Sequence, residues 1–275
     1  MTHKIWLITG ASRGFGAEIA KAALADGDTV IATARNQTAL QWLGDSKHLL
    51  TVSMDVTQET QVQAAVATGL DKFGQIDVLV NNAGFGLLGA IEESTLEEVE
   101  SLYRTNVFGV LTVIRAVLPS MRQHRSGHII NLSSIGGYRA SAGWGIYNST
   151  KFAVEGITEA LHHELAPLGI HVTVVEPGYF RTDFLDHTSL RKTATQIADY
   201  AETVGKIRAF AAERNHQQPG DPAKLAQAIL QLAAANKPPL RLPLGKDTLQ
   251  AIAQKNAYVE KETAAWRALA ESTNY

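Results

Sequence analysis

Six short apolar runs punctuate the chain, and the stretches between them are longer and two-faced. The runs are KIWLITG, DTVIATA, LLTVSMD, DVLVNNA, GHIINLSS and HVTVVEP. They are rich in Val, Ile and Leu and nearly continuous rather than alternating, which suits strands covered on both faces. The segments between them carry helix signals. Gly16 to Leu24 is followed by Gly27 as a stop, and Thr57 to Phe73 ends near Gly74. Thr95 has Glu98 three residues on, a capping-box pattern that starts a helix running to about Arg125. Tyr147 to Ala166 reads as a further helix that ends before Gly169. Strand and helix alternating one for one predict an α/β fold, a doubly wound parallel sheet with helices on both faces.

The pattern changes after EPGYFRTDF. Residues 185–218 are polar, lean towards helix and show no strand signal. A long insertion at the end of a sheet strand predicts a lid over a site. Residues 221–235 resume as a helix with Pro222 in its first turn, PPLRLPLG is a candidate last strand, and 246–271 read as a helical tail. The count comes to about seven strands. No linker composition or internal repeat divides the chain, so residues 1–275 are expected to form a single domain.

Composition narrows the function classes. The 275 residues are 45% hydrophobic and carry a net charge of -2, which gives no basic footprint for nucleic acid. There are no cysteines, which excludes disulfides, thiolate metal sites and a thiol nucleophile. The apolar stretch before the first glycine turn is too short for a signal-peptide core, and no run approaches the ~20 apolar residues of a membrane span. A cytoplasmic enzyme or binding protein is expected. His162, His163 and Glu164 form an HHE triplet, but on a helix after Tyr147 they read as a solvated face, and no metal is expected.

TGASRGFG lies between the first strand and the first helix, with glycines at 10, 14 and 16. Glycines there allow a tight turn, a close backbone approach to a pyrophosphate and close packing of helix on strand, while helix-terminal N–H groups hold phosphate. Further on, IYNSTK sets Tyr147 four residues before Lys151. At ~3.6 residues per turn the two share a helix face. A phenol titrates near 10, and a neighbouring ammonium favours its ionised form.

TGxxxGxG, then NNAG (Asn81 to Gly84), then a serine, then YxxxK, all in order over residues 4–183, resemble the short-chain dehydrogenase/reductase family. The resemblance implies a single Rossmann-type domain that moves hydride between NAD(P) and an alcohol or carbonyl. It implies Tyr147 as proton donor and acceptor, Lys151 as its partner and a ligand of the nicotinamide ribose, and Ser134 as the holder of the substrate oxygen. Ser133 is the neighbouring candidate, and family spacing selects Ser134. Asn106 resembles the family asparagine that holds a water in a relay to the lysine.

For the cofactor, the resemblance implies Gly10, Ser12, Arg13, Gly14, Phe15 and Gly16 in the turn, and Asn82, Ala83 and Gly84 after the fourth strand. Asp55 and Val56 would contact adenine. Pro177, Gly178, Phe180 and Thr182 resemble the motif that meets the nicotinamide. By the family pattern Ala34 stands where an acid would bind the 2′-OH of NAD. Arg35 follows it, and Arg13 could add a second guanidinium, so NADPH/NADP+ is the expected cofactor.

Tyr138, Trp144 and Tyr179 are pocket candidates. With the long 185–218 segment they point to a lipophilic ketone, aldehyde or secondary alcohol. The tail resembles the hydroxysteroid- and retinol-dehydrogenase-like branch rather than members that end in a VDGG-like tail. A homo-oligomer, dimer or tetramer, is expected. The competing expectation is a protein of the same fold that binds NADP without catalysis.

Overall fold

The computed structural model describes residues 3–275. In chain order the elements are β1 (Ile5–Thr9), α1 (Gly14–Ala25), β2 (Thr29–Ala34), β3 (Leu49–Ser53), α2 (Glu59–Phe73), β4 (Val78–Asn81) and β5 (Gly86–Leu88). Then come α3 (Leu96–Tyr103), α4 (Gly109–His124), β6 (Gly127–Leu132), α5 (Ile135–Tyr138), α6 (Gly145–Leu165) and β7 (Ile170–Pro177). The rest are β8 (Leu190–Lys192), α7 (Lys206–Arg214), α8 (Pro222–Ala234), β9 (Arg241–Leu244) and α9 (Lys246–Glu271).

Seven strands form one sheet in the order β3-β2-β1-β4-β6-β7-β9, parallel throughout. The continuous apolar runs are explained by covering on both sides. Trp6, Ile8, Val30, Val80 and Ile130 face one layer, where α1 and α8 contribute Ile19, Leu225 and Ile229. Leu7, Ile31, Leu79 and Ile129, one residue out of phase, face the other, with Val62 of α2, Val113 and Val117 of α4 and Val154 of α6. Each such side chain contributes roughly 1.5–3 kcal/mol on burial, so the sheet centre anchors the fold.

Several boundaries move. The first, second and fourth predicted helices begin at Gly14, Glu59 and Gly145. The capping box at Thr95 is formed: Glu98 N–H donates to Thr95 Oγ1 (3.2 Å) and Thr95 N–H to Glu98 Oε2 (2.8 Å). The helix it opens is not uniform, because Arg104–Phe108 form a π turn between α3 and α4.

Residues 185–218 differ from expectation. They contain β8, which pairs in parallel with β5 in a separate two-stranded sheet, with Gly86 opposite Leu190 and Leu88 opposite Lys192. Strands of three residues are too short to show a period, and β5 has a glycine at its start, so neither left a mark in the pattern. The remainder is mostly short turns followed by α7. Glu93 ties this segment to the body. Its buried carboxylate accepts from Ala90 N–H (2.7 Å), from Ile197 N–H (2.9 Å) and from the Arg208 guanidinium.

Candidate active site

Crossovers run in opposite directions from β1 and β4, so the sheet opens a crevice at their carboxyl ends, where ligands of open α/β sheets bind. The glycine turn follows β1 and Asn82–Gly84 follow β4. The two loops are stitched together. Thr9 Oγ1 accepts from the N–H groups of Asn82 and Ala83 (3.0 Å each), and the Asn82 amide donates to the carbonyls of Thr9 (2.9 Å) and Gly10 (3.0 Å). Gly10 and Gly14 have φ of 66° and 57°, the left-handed region that suits glycine. At Gly16 a Cβ would lie 2.5 Å from Asn82 Nδ2 and from the Gly10 carbonyl oxygen.

A cleft of about 1100 Å³ runs along this edge. Gly10, Ser12, Arg13, Gly14 and Phe15 line one end with Arg35, Asp55 and Val56. Asn82, Ala83 and Gly84 line its floor, and Ser134, Tyr147 and Lys151 one wall, with Trp144, Pro177, Gly178, Tyr179, Phe180 and Thr182 around them. Three expected residues do not line it. Gly16 is behind the turn, where it lets the chain pack. Asn106 is buried in the π turn, with its amide donating to the Phe85 carbonyl (2.9 Å) and Thr150 Oγ1 (3.2 Å) while its Oδ1 accepts from Phe85 N–H (3.1 Å). Its side chain therefore clamps the loop after β4. Tyr138 is turned away: its hydroxyl donates to Asn256 of α9 (2.5 Å) and its ring lies under Arg241. The tail that captures it is remote in sequence, so no local pattern could show this.

The reacting groups are held from below. Ser134 caps α5, its Oγ accepting from Gly136 N–H at 3.0 Å, which leaves the hydroxyl proton to donate. Lys151 Nζ donates to the Leu132 carbonyl at the end of β6 (2.8 Å) and lies 5.8 Å from the Tyr147 ring centre. Burial raises the Tyr147 phenol well above its ordinary range, against a lowering contribution from Ser134, so this wall holds a protonated phenol. Burial lowers Lys151 to about 8, with the charge of Glu155 opposing the drop.

At the other end, Asp55 accepts from Thr57 N–H (2.9 Å) and Thr57 Oγ1 (2.8 Å), so it shapes its own turn while lining the cleft. Arg13 donates to the Thr188 carbonyl (2.8 Å), and the exposed Arg35 guanidinium has no partner among the described residues. Phe15 packs edge-on against Phe180 at 5.4 Å.

Sequence reading missed Phe85, Asn148, Phe184, Leu185, Arg191 and Gln218, which also line the cleft. Phe184 stacks on Trp144 at 6.4 Å and meets Tyr147 at 5.5 Å, and Arg191 lies 4.3 Å over Phe85. Most sit in irregular segments without a period. Asn148 alone had a signal, its place beside Tyr147. A half-exposed group of Asp183, Asp186 and His216 also comes together on the 185–218 side, where Asp186 already accepts from Asn215 and pairs with His216 at 3.2 Å.

The chain is similar in sequence and fold to known proteins. The short chain dehydrogenase family model aligns with residues 4–193. A 3-ketodihydrosphingosine reductase of Bacteroides thetaiotaomicron is 40% identical over 246 residues, 89% of each chain. The crystal structure of a short-chain dehydrogenase from Streptomyces avermitilis is 41% identical, with a TM-score of 0.93 over 99% of both chains. A short-chain dehydrogenase/reductase from Burkholderia phymatum in complex with NAD is 25% identical, with a TM-score of 0.82 over 94% of this chain and 95% of that one. A glycine cradle at the switch point, with Ser134, Tyr147 and Lys151 on the wall above it, thus occurs in a chain whose sequence and fold both match one group of oxidoreductases: it belongs to the short-chain dehydrogenase/reductase family.

Proposed function

We propose that the protein is an NADPH-dependent carbonyl reductase, reversible as an alcohol dehydrogenase, acting on a lipophilic ketone or aldehyde. The observation that carries this is the single cleft lined both by Ser134, Tyr147 and Lys151 and by a glycine turn whose Gly10 and Gly14 take left-handed backbone conformations. The residues present fit a dinucleotide. The turn at Gly10, Ser12, Gly14 and Phe15 would hold the pyrophosphate, Asp55 and Val56 the adenine, and Pro177, Gly178, Phe180 and Thr182 the nicotinamide end. When bound, the cofactor supplies the hydride.

The chain's own residues do the rest. Ser134 orients the carbonyl oxygen and donates to the negative charge that develops there. Tyr147, protonated in its buried setting, delivers the proton from its hydroxyl to that oxygen. Lys151 holds the ribose hydroxyls and keeps a positive charge beside the phenol. The Burkholderia phymatum structure holds NAD. Preference for the phosphorylated form rests here on Arg13 and Arg35, planar forks suited to a 2′-phosphate, and on Ala34 in place of an acid. Phe85, Trp144, Phe184 and Leu185 make the substrate end apolar.

The same reading takes residues 1–275 as one catalytic domain, cytoplasmic and assembled as a dimer or tetramer. No helix among the described residues is long and apolar enough to cross a membrane.

The test is a panel of small ketones, aryl ketones, steroids and retinoids, run with NADPH and with NADH. Turnover of the apolar members with NADPH preferred is the expected result. A clear preference for NADH would overturn the reading of Arg13 and Arg35. A silent panel with tight NADPH binding would favour a non-catalytic binder.

A further inference from the structure

One turn beyond Lys151 on α6, a second carboxylate cluster is built into the fold. Tyr147, Lys151 and Glu155 are spaced i, i+4 and i+8, so they follow one another down one helix face. Glu155 is 5% exposed, and Glu176, from β7, is 1% exposed. Both are held by one guanidinium. Arg241 of β9 reaches Glu155 Oε2 and donates to Glu176 Oε1 at 2.9 Å, and it also reaches Glu159 at the surface (3.1 Å). The other oxygens are orphans: Glu155 Oε1 and Glu176 Oε2 are enclosed without a hydrogen-bond partner, as is Ser133 Oγ beside them. Gly137 closes the pocket, since a Cβ there would strike both Ser133 Oγ and Glu155 Oε1.

Two buried carboxylates share the one guanidinium that reaches them, and crowding like charge away from water is costly. Like charges at such range ionise one at a time, and one proton held by the pair gives an enclosed oxygen a donor. We propose that Glu155 and Glu176 share one proton under the grip of Arg241, and that this pair is a positioning device which sets the charge behind Lys151. It rests on the reading of Tyr147 and Lys151 given under Proposed function.

The charged and titratable groups facing Glu155 are Lys151 and Glu159 from its own helix, Glu176 from β7 and Arg241 from β9, with the Tyr138 ring of α5 beneath Arg241. Burial pushes Glu155 up to about 7, with the charge of Glu176 adding to the rise and that of Arg241 opposing it. Ionised Glu155 in turn raises Lys151. Once the pair gives up its proton, its charge extends the pH range over which the ammonium survives. The pair titrates as a unit.

Two variants and three readouts test this. In Glu155→Gln the support for Lys151 is gone, so the alkaline limit of NADPH-dependent turnover should fall by about one pH unit or more. In Glu176→Gln the competing carboxylate is gone, and the limit should stay at or above that of the parent protein. A limit unmoved or raised in the first, or lowered in the second, overturns the proposal.

Unfolding needs no turnover. A carboxyl whose folded-state pKa is raised contributes stability below the ordinary carboxylate range and loses it as pH rises through about 7. The parent protein should therefore lose Tm relative to Glu155→Gln as pH rises from about 4.5 to about 7, the interval between its unfolded and folded pKa values. A constant difference over that range sinks proton sharing. If the substrate panel is silent, the catalytic reading fails on its own. NADPH affinity at alkaline pH, parent against Glu155→Gln, then reads Lys151 directly, and equal pH dependence in the two proteins overturns the proposed role.

Discussion

A tyrosine buried to this degree keeps its proton near neutrality. Burial raises the phenol, and Ser134 lowers it only in part. Lys151 Nζ is held by a backbone carbonyl and feels the Glu155 carboxylate through its charge, so the ammonium stays available to the phenol and to a ribose. Removing only the phenolic oxygen should therefore separate binding from chemistry. Tyr147→Phe keeps the ring contacts with Trp144 and Phe184. Its turnover is expected to fall by roughly 10²–10⁴-fold, the usual worth of a positioned proton donor. NADPH binding, followed by fluorescence titration, should stay near the parent value. Normal turnover in this variant would remove Tyr147 from the reaction. Such a residue is legible in sequence because its partners are fixed by helix geometry: four residues place Lys151 beside it whatever the rest of the fold does.

The glycine turn shows what a short element can and cannot tell from its own letters. The run of glycines announces a tight strand-to-helix connection, but it does not say which glycine is needed for which reason. Gly10 and Gly14 are required by their φ values, whereas Gly16 is required by space, with Asn82 and the Gly10 carbonyl filling the place a Cβ would take. Gly16→Ala should thus break the stitch between the β1 and β4 loops. Its expected cost is about 1–3 kcal/mol by overpacking, visible as a lower Tm, with NADPH affinity weakened as well. An unaltered affinity would mean that the loops can separate without disturbing the cradle. The β5–β8 pair is the opposite case. Neither three-residue strand carries a signal, and each exists because the other is brought beside it.

At the scale of the molecule, the 185–218 segment is joined to the body through Glu93. Burial by itself would raise this carboxyl. The N–H groups of Ile197 and Ala90 and the Arg208 guanidinium together hold it below the usual carboxylate range. A carboxyl lowered on folding contributes stability above its unfolded pKa and loses it as pH falls through the folded one, so the anchor should fail on the acid side. In Glu93→Gln one amide must serve donors that a carboxylate accepted. Limited proteolysis is expected to cut within 185–218 faster than in the parent protein, with KM for the apolar substrate raised more than kcat is lowered. Equal cleavage rates would show that the other ties of the segment, among them β5–β8, Arg13–Thr188 and Tyr200–Glu92, suffice to hold it.

The sequence by itself determined the strand-and-helix alternation, the parallel sheet, the glycine turn and the shared helix face of Tyr147 and Lys151, whereas Ser134 came from the resemblance to a known family. The first four depend on local periods and spacings, which each residue's neighbours dictate. Tertiary structure alone decided where Tyr138 points, that Asn106 spends its amide on Phe85, that Arg13 reaches Thr188, and that Glu155, Glu176 and Arg241 meet. Those contacts join residues tens to more than a hundred positions apart, and their partners are chosen by which strands the sheet order sets side by side.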